Sequence, residues 1–119
     1  GIHYNGNIVC APEGDGQGCL MRAGEVIAGE ELARERRQRP DRALIPFDNL
    51  ARGPGNLGQA LGLTLPDNGT EAQLTMRAEE PEWVAGPRIG ISKNSEAPWR
   101  FWIPGDKTVS SPRGYPKKR

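Results

Sequence analysis

Hydrophobic and polar positions alternate along Gly-Ile-His-Tyr-Asn-Gly-Asn-Ile-Val-Cys at the start of the chain and again from Cys19 to Ala23. The stretch between them, Ala11 to Gly18, is rich in Pro, Gly and Asp, so the pattern predicts a hairpin over residues 1–24. Setting Cys10 opposite Cys19 pairs Asn7 with Arg22 and Ile8 with Met21. Period two then puts both cysteines, Tyr4, Ile8, Met21 and Ala23 on an apolar core face. Asn5, Asn7, Val9, Leu20 and Arg22 fall on a mixed face suited to the floor of a pocket. A slip of one residue would exchange the two faces.

The pattern changes period at Gly29. Glu30 and Glu31 open a charged run that closes on Arg36, Arg37 and Arg39, the polarity that suits a helix dipole, and Pro40 stops it. Only Leu32 and Ala33 are apolar, which predicts a solvated surface helix. Leu57, Ala60 and Leu61 recur at helical spacing behind Pro54, predicting a second helix from Pro54 to about Leu61, closed by Gly62. Asp67-Asn68-Gly69 marks a turn, and short strands are expected at Leu74–Met76, Arg88–Ser92 and Trp99–Ile103. Most aromatics of the last strand are assigned to core packing. Residues past Ser111 are Pro-rich, end in Lys117-Lys118-Arg119 and are expected to be disordered.

Length and composition narrow the picture. The 119 residues suit one domain or a piece of one, but 35% hydrophobic and 6% aromatic content beside 16 Gly and 11 Pro leaves a thin core. A net charge of +1 excludes a strongly basic nucleic-acid module, so any contact with DNA needs a local positive patch. The chain has no apolar run of about 18 residues and no leader pattern, which points to a soluble, unexported protein. Two cysteines give no disulfide framework.

Few residues carry candidate chemistry. Arg22 sits in an otherwise apolar or small run and needs a partner if buried. The residues alone favour a structural ion pair, although arginine can also fix a water or phosphate without titrating. Asn7 gains interest only from its expected place opposite Arg22. Gly90, inside the Arg88-Ile89-Gly90-Ile91 run, suggests close approach of another backbone or a ligand. Arg52-Gly53-Pro54-Gly55 precedes a helix whose free amides could receive a phosphate, but no Lys-Ser/Thr follows to make a nucleotide loop. His3 is the sole histidine and, with two cysteines, matches no metal pattern. Glu13 and Asp15 lie among glycines, poor surroundings for a tuned base.

Taken in order, the opening decapeptide, Leu20-Met21-Arg22-Ala23, Gly53-Pro54-Gly55-Asn56-Leu57-Gly58-Gln59-Ala60-Leu61 and Pro87-Arg88-Ile89-Gly90-Ile91 resemble the alkyladenine (3-methyladenine) DNA glycosylase family. The resemblance implies an α+β fold, a mixed single domain around an antiparallel β-sheet with peripheral helices, over residues 1–111, with 112–119 a basic tail. It implies base-excision repair, in which an alkylated or deaminated purine is flipped from duplex DNA and its N-glycosidic bond hydrolysed without metal or organic cofactor. Arg22 and the main-chain carbonyl of Ile89 would attend the attacking water. Asn7 would crowd the exocyclic amine of guanine, and Ile2, His3, Gly90 and Asn56 would join it in contacting base or DNA. Asn56 stands where many members carry Lys. The expected partner is double-stranded DNA containing alkylated purines, bound by a monomer at the bacterial nucleoid in the cytoplasm and not at a membrane. Because the family's catalytic Glu normally precedes the position of Gly1, the chain is expected to be a C-terminal portion, inactive alone. The alternative is a non-catalytic DNA-damage-binding module that keeps the fold.

Overall fold

A computed structural model of the protein describes residues 4–9, 18–71 and 73–116. Its regular elements are β1 (Asn7–Val9), β2 (Gly18–Leu20), α1 (Glu30–Arg37), α2 (Pro54–Leu61), β3 (Val84–Gly86) and β4 (Arg100–Trp102), with 3-10 turns at Phe47–Asn49 and Leu65–Asp67. The α+β class is as expected. The strands form two antiparallel ribbons, β1 with β2 and β3 with β4, and the helices lie to the side.

The helices follow their local signals. Glu30 and Glu31 start α1, Arg36 and Arg37 end it, and Glu30 pairs with Arg34 at 3.3 Å. Pro54 occupies the first turn of α2, where its missing N–H costs nothing. Gly62 closes α2 at φ 68°, a left-handed conformation that glycine adopts without a Cβ clash. The two helices pack on each other. Ala33, Ala51, Leu57 and Ala60 form the core between them, with Met21 and Val26 against it, so α1 contributes one buried small residue and is otherwise largely solvated.

The first hairpin differs in register from the sequence expectation. Asn7 stands opposite Leu20, Ile8 opposite Cys19 and Val9 opposite Gly18. Arg22 is therefore not the partner of Asn7. The offset is two residues, and an even shift preserves which residues share a face. The cause is visible beside the strands: the Met21 amide donates to the Gly6 carbonyl at 2.8 Å, and a Cβ on Gly6 would run into the methyl of Met21. Cys19 is exposed rather than core. Cys10, Ile2 and His3 lie outside the described residues.

Two expected strands are irregular. Leu74–Met76 and Arg88–Ser92 carry no ladder, and β3 lies upstream at Val84–Gly86 instead. Gly90 has φ +69°, which bends the chain where a strand was expected. The ribbon β3–β4 pairs Val84 with Trp102, Ala85 with Phe101 and Gly86 with Arg100. Its inner face is buried, with Trp102 8% and Arg100 5% exposed, whereas Trp99 and Phe101 are 57% and 63% exposed. The expectation that most of these aromatics are core is thus corrected: Trp102 alone is buried. Residues 112–116, placed by sequence in the tail, lie against this ribbon. Trp102 Nε1 donates to the Gly114 carbonyl at 3.0 Å, and Tyr115 donates its hydroxyl proton to Glu82 at 2.6 Å.

Candidate functional site

A cavity of about 810 Å³ opens between the segment from Gly18 to Glu25 and the strand β4 with the loop that follows it. Four arginines, Arg22, Arg77, Arg88 and Arg100, face two carboxylates, Glu25 and Asp106, around it. Trp99, Phe101 and Trp102 supply aromatic wall. In a chain of nearly neutral net charge, the wall of this cavity carries more positive than negative side chains.

Each charged group is fixed differently. Arg100 sits on the inner face of β4, donates to the Ser110 carbonyl at 2.8 Å and lies 4.2 Å from the centroid of the Trp102 ring. Burial, and secondarily the like charge of Arg22, push its guanidinium below the ordinary arginine range. Arg88 donates to the Lys93 carbonyl at 3.0 Å and stacks 5.0 Å from the Trp99 ring centroid. Asp106 Oδ1 accepts from the Thr108 hydroxyl at 2.6 Å and from the Thr108 amide at 2.8 Å. Those two bonds, the hydroxyl first, hold its carboxyl below the usual carboxylate range; partial burial opposes them and Arg77 adds to them. Asp106 is therefore ionised at neutral pH.

Of the residues singled out from sequence, Arg22 is half-buried and lines the cavity. Asn7 is exposed in β1 and is not among the lining residues. Ile89 is half-buried in the bend at Gly90, and its neighbours Arg88 and Ile91 reach the cavity wall. Asn56 turns back to the residues just before its helix, donating from Nδ2 to the Arg52 carbonyl at 2.8 Å. Arg52 in turn donates to the Lys107 carbonyl, tying the start of α2 to the loop that carries Asp106 and Thr108. The ion pair that the bare sequence favoured for Arg22 is absent among the described residues, where the one salt bridge joins Arg34 to Glu30.

The arginines of α1 have structural duties. Arg34 donates to the Ile45 carbonyl at 2.8 Å, Arg36 to that of Ala60 at 3.0 Å, and Arg37 to those of Asn49 and Leu50 at 2.9 and 3.1 Å. Sequence reasoning missed Arg100, Asp106 and Thr108. The Asp-x-Thr spacing at 106–108 was a legible signal for a side chain bonding its own backbone two residues on. Among the described residues no group of three His, Cys, Asp or Glu could hold a metal ion, and no helix is long and apolar enough to cross a membrane.

Residues 1–107 match the family model for methylpurine-DNA glycosylase (MPG). A Corynebacterium efficiens protein named "Putative 3-methyladenine DNA glycosylase" is 60% identical over 124 residues, which cover 100% of this chain and 63% of the relative. Proteins of the same name from Corynebacterium glutamicum and Cutibacterium acnes are 58% and 44% identical, covering 99% and 95% of this chain and 63% of each relative. The chain thus spans about 63% of the length of these curated relatives. The reach of the family match corrects one expectation. The likeness was read as that of a C-terminal portion, with the catalytic acid upstream; the family match instead runs over nearly the whole chain, residues 1–107.

Proposed function

That this chain belongs to the methylpurine-DNA glycosylase family is the premise from which we propose a base-excision activity: hydrolysis of the N-glycosidic bond of an alkylated or deaminated purine extruded from duplex DNA. A stacked base hides its sugar bond, so extrusion comes first, and an alkylated base costs less to unstack. A cationic alkylpurine is already a good leaving group. The protein's task is then to position a water, take its proton and stabilise positive charge on the sugar.

The observation that carries this reading is the placement of Arg22, a half-buried guanidinium without a carboxylate partner among the described residues, in the wall of an arginine-rich and aromatic cavity. Permanently charged and rich in donors, it holds a water without competing for its proton. In the same reading the Ile89 carbonyl accepts from that water. Asp106, its carboxyl held below the usual range by Thr108, supplies negative charge to the cavity wall. The partner is double-stranded DNA of a bacterial nucleoid, bound by a monomer; the relatives named above are bacterial.

The test is chromatography of the bases released from methylated duplex DNA, with alkali cleavage to count abasic sites. Free 3-methyladenine and matching abasic sites are expected. Tight retention of methylated duplex with no base released would overturn the proposal in favour of a non-catalytic damage-binding module.

A further inference from the structure

The two walls of the cavity belong to segments far apart in the chain, and a residue outside the cavity touches both. Arg52 is half-buried and is not among the lining residues. Its main chain forms an antiparallel bridge with Ala23, the neighbour of Arg22, and beside it the Gly24 amide donates to the Ala51 carbonyl at 3.0 Å. The Arg52 carbonyl is held in turn by Asn56 Nδ2 at 2.8 Å, in the first turn of α2. Its guanidinium runs the other way: Nη2 donates to the carbonyl of Lys107, the residue between Asp106 and Thr108. Nε is buried with no hydrogen-bond partner among the described residues. A buried donor left unpaired is costly, so this side chain keeps its place against a local penalty and calls for a reason.

We propose that Arg52 is a positioning residue that sets the Asp106 carboxylate against Arg22 across the cavity. Backbone pairing fixes Arg52 to the wall that carries Arg22, and the bond to Lys107 fixes the opposite loop to Arg52. Within that loop Asp106 is already oriented, because Thr108 donates to its Oδ1 from the hydroxyl at 2.6 Å and from the amide at 2.8 Å. Those bonds leave free the placement of the whole turn, which is what Arg52 supplies. The inference rests on the base-excision reading for what the two groups do: Arg22 holds the water, and the negative charge of Asp106 offsets positive charge developing on the sugar, an effect that requires preorganised distance. Arg52 itself does not line the cavity and acts through Asp106.

Arg52→Met is the variant of choice, since it keeps the buried stem and removes the donor. In single-turnover release of 3-methyladenine from a methylated duplex it should lose about tenfold to a hundredfold in rate, the scale of a displaced reacting geometry, with DNA affinity within a few fold of the parent. Asp106→Asn should lose a comparable factor, and the double variant should fall within about twofold of the slower single, because both changes act through one charge. A residue that only stabilised the fold would give additive losses. Amide exchange reads the tether without activity: in Arg52→Met the Thr108 amide should exchange about tenfold faster, the effect of losing one hydrogen bond, while Gly24 and Ala60 keep parental protection. A parental rate in Arg52→Met, additive losses in the cycle, unchanged exchange at Thr108, or protection lost equally at Gly24 and Ala60 overturns the inference. If the parent releases no base, the glycosylase proposal fails and exchange at Thr108 decides this one; release at one rate by parent and Arg52→Met sinks this inference and leaves that proposal standing.

Discussion

The guanidinium of Arg100 lies 4.2 Å from the ring centroid of Trp102, two positions along the same strand and on the same buried face. Each residue is also tied to the following segment, Arg100 to the Ser110 carbonyl and Trp102 to that of Gly114. This pair joins the wall of the cavity to the core of the ribbon. Trp102→Ala should cost about 3–5 kcal/mol, the range for truncating a large buried aromatic. Urea titration checks it, and a midpoint unchanged from the parent would show that the pair does not anchor the ribbon.

Arg37 tests what the basic run of α1 is for. Its Nη1 serves the carbonyls of Asn49 and Leu50, and burial lowers its pKa. Arg37→Ala should lose about 1.5–3 kcal/mol, the scale of hydrogen bonds to a charged donor. The salt dependence of DNA binding should not change. A slope flattened by about 0.9, the signature of one lost phosphate contact, would place this helix at a DNA interface.

These contrasts show what the chain made legible. Both helices were readable because their signals are local: the acidic start and basic end of α1, and Pro54 and Gly62 bracketing α2. The strands were legible in part: the first hairpin and the strand at Trp99–Ile103 are present as β1–β2 and β4, but β3 and the hairpin register were missed, because a three-residue strand is defined by its partner rather than by its own period. Arg88–Ser92 has a strand's composition, but the left-handed Gly90 breaks it. In the first hairpin, opposing Cys10 to Cys19 had no geometric cause, whereas the contact of Gly6 with Met21 sets the register. Arg22 was found from its apolar surroundings. Arg100 and Asp106 reach the cavity only through tertiary folding, which no local pattern announces.

Gly58 is a second place where absence of a side chain shapes the packing. It lies within α2, and a Cβ there would collide with the backbone carbonyl of Tyr4, a part of the structure that cannot rotate away. Gly58→Ala should destabilise by about 1–3 kcal/mol, as overpacking does, despite the better helix propensity of alanine. Thermal unfolding decides this; a more stable variant would mean that the chain before β1 does not pack on α2.

Asp106 gives a pH dependence of known sign. Its folded pKa is depressed below the usual value of 3.8 by Thr108. Its contribution is therefore present above about pH 4 and is lost as pH falls through the lower native value. Thr108→Val should diminish that acid-limb loss, because the hydroxyl bond is the larger cause of the depression. Urea midpoints measured from pH 6 to pH 2 check this, and identical acid limbs in parent and variant would contradict it.

The central claim is that Arg22 acts on the reaction inside the cavity rather than on the fold. Single-turnover release of 3-methyladenine from a duplex, compared between the parent and Arg22→Ala with DNA affinity measured in parallel, tests it most directly. The account predicts a loss of at least about a hundredfold in rate, the scale for removing one preorganised donor, with affinity within a few fold of the parent. Release at the parental rate would contradict it.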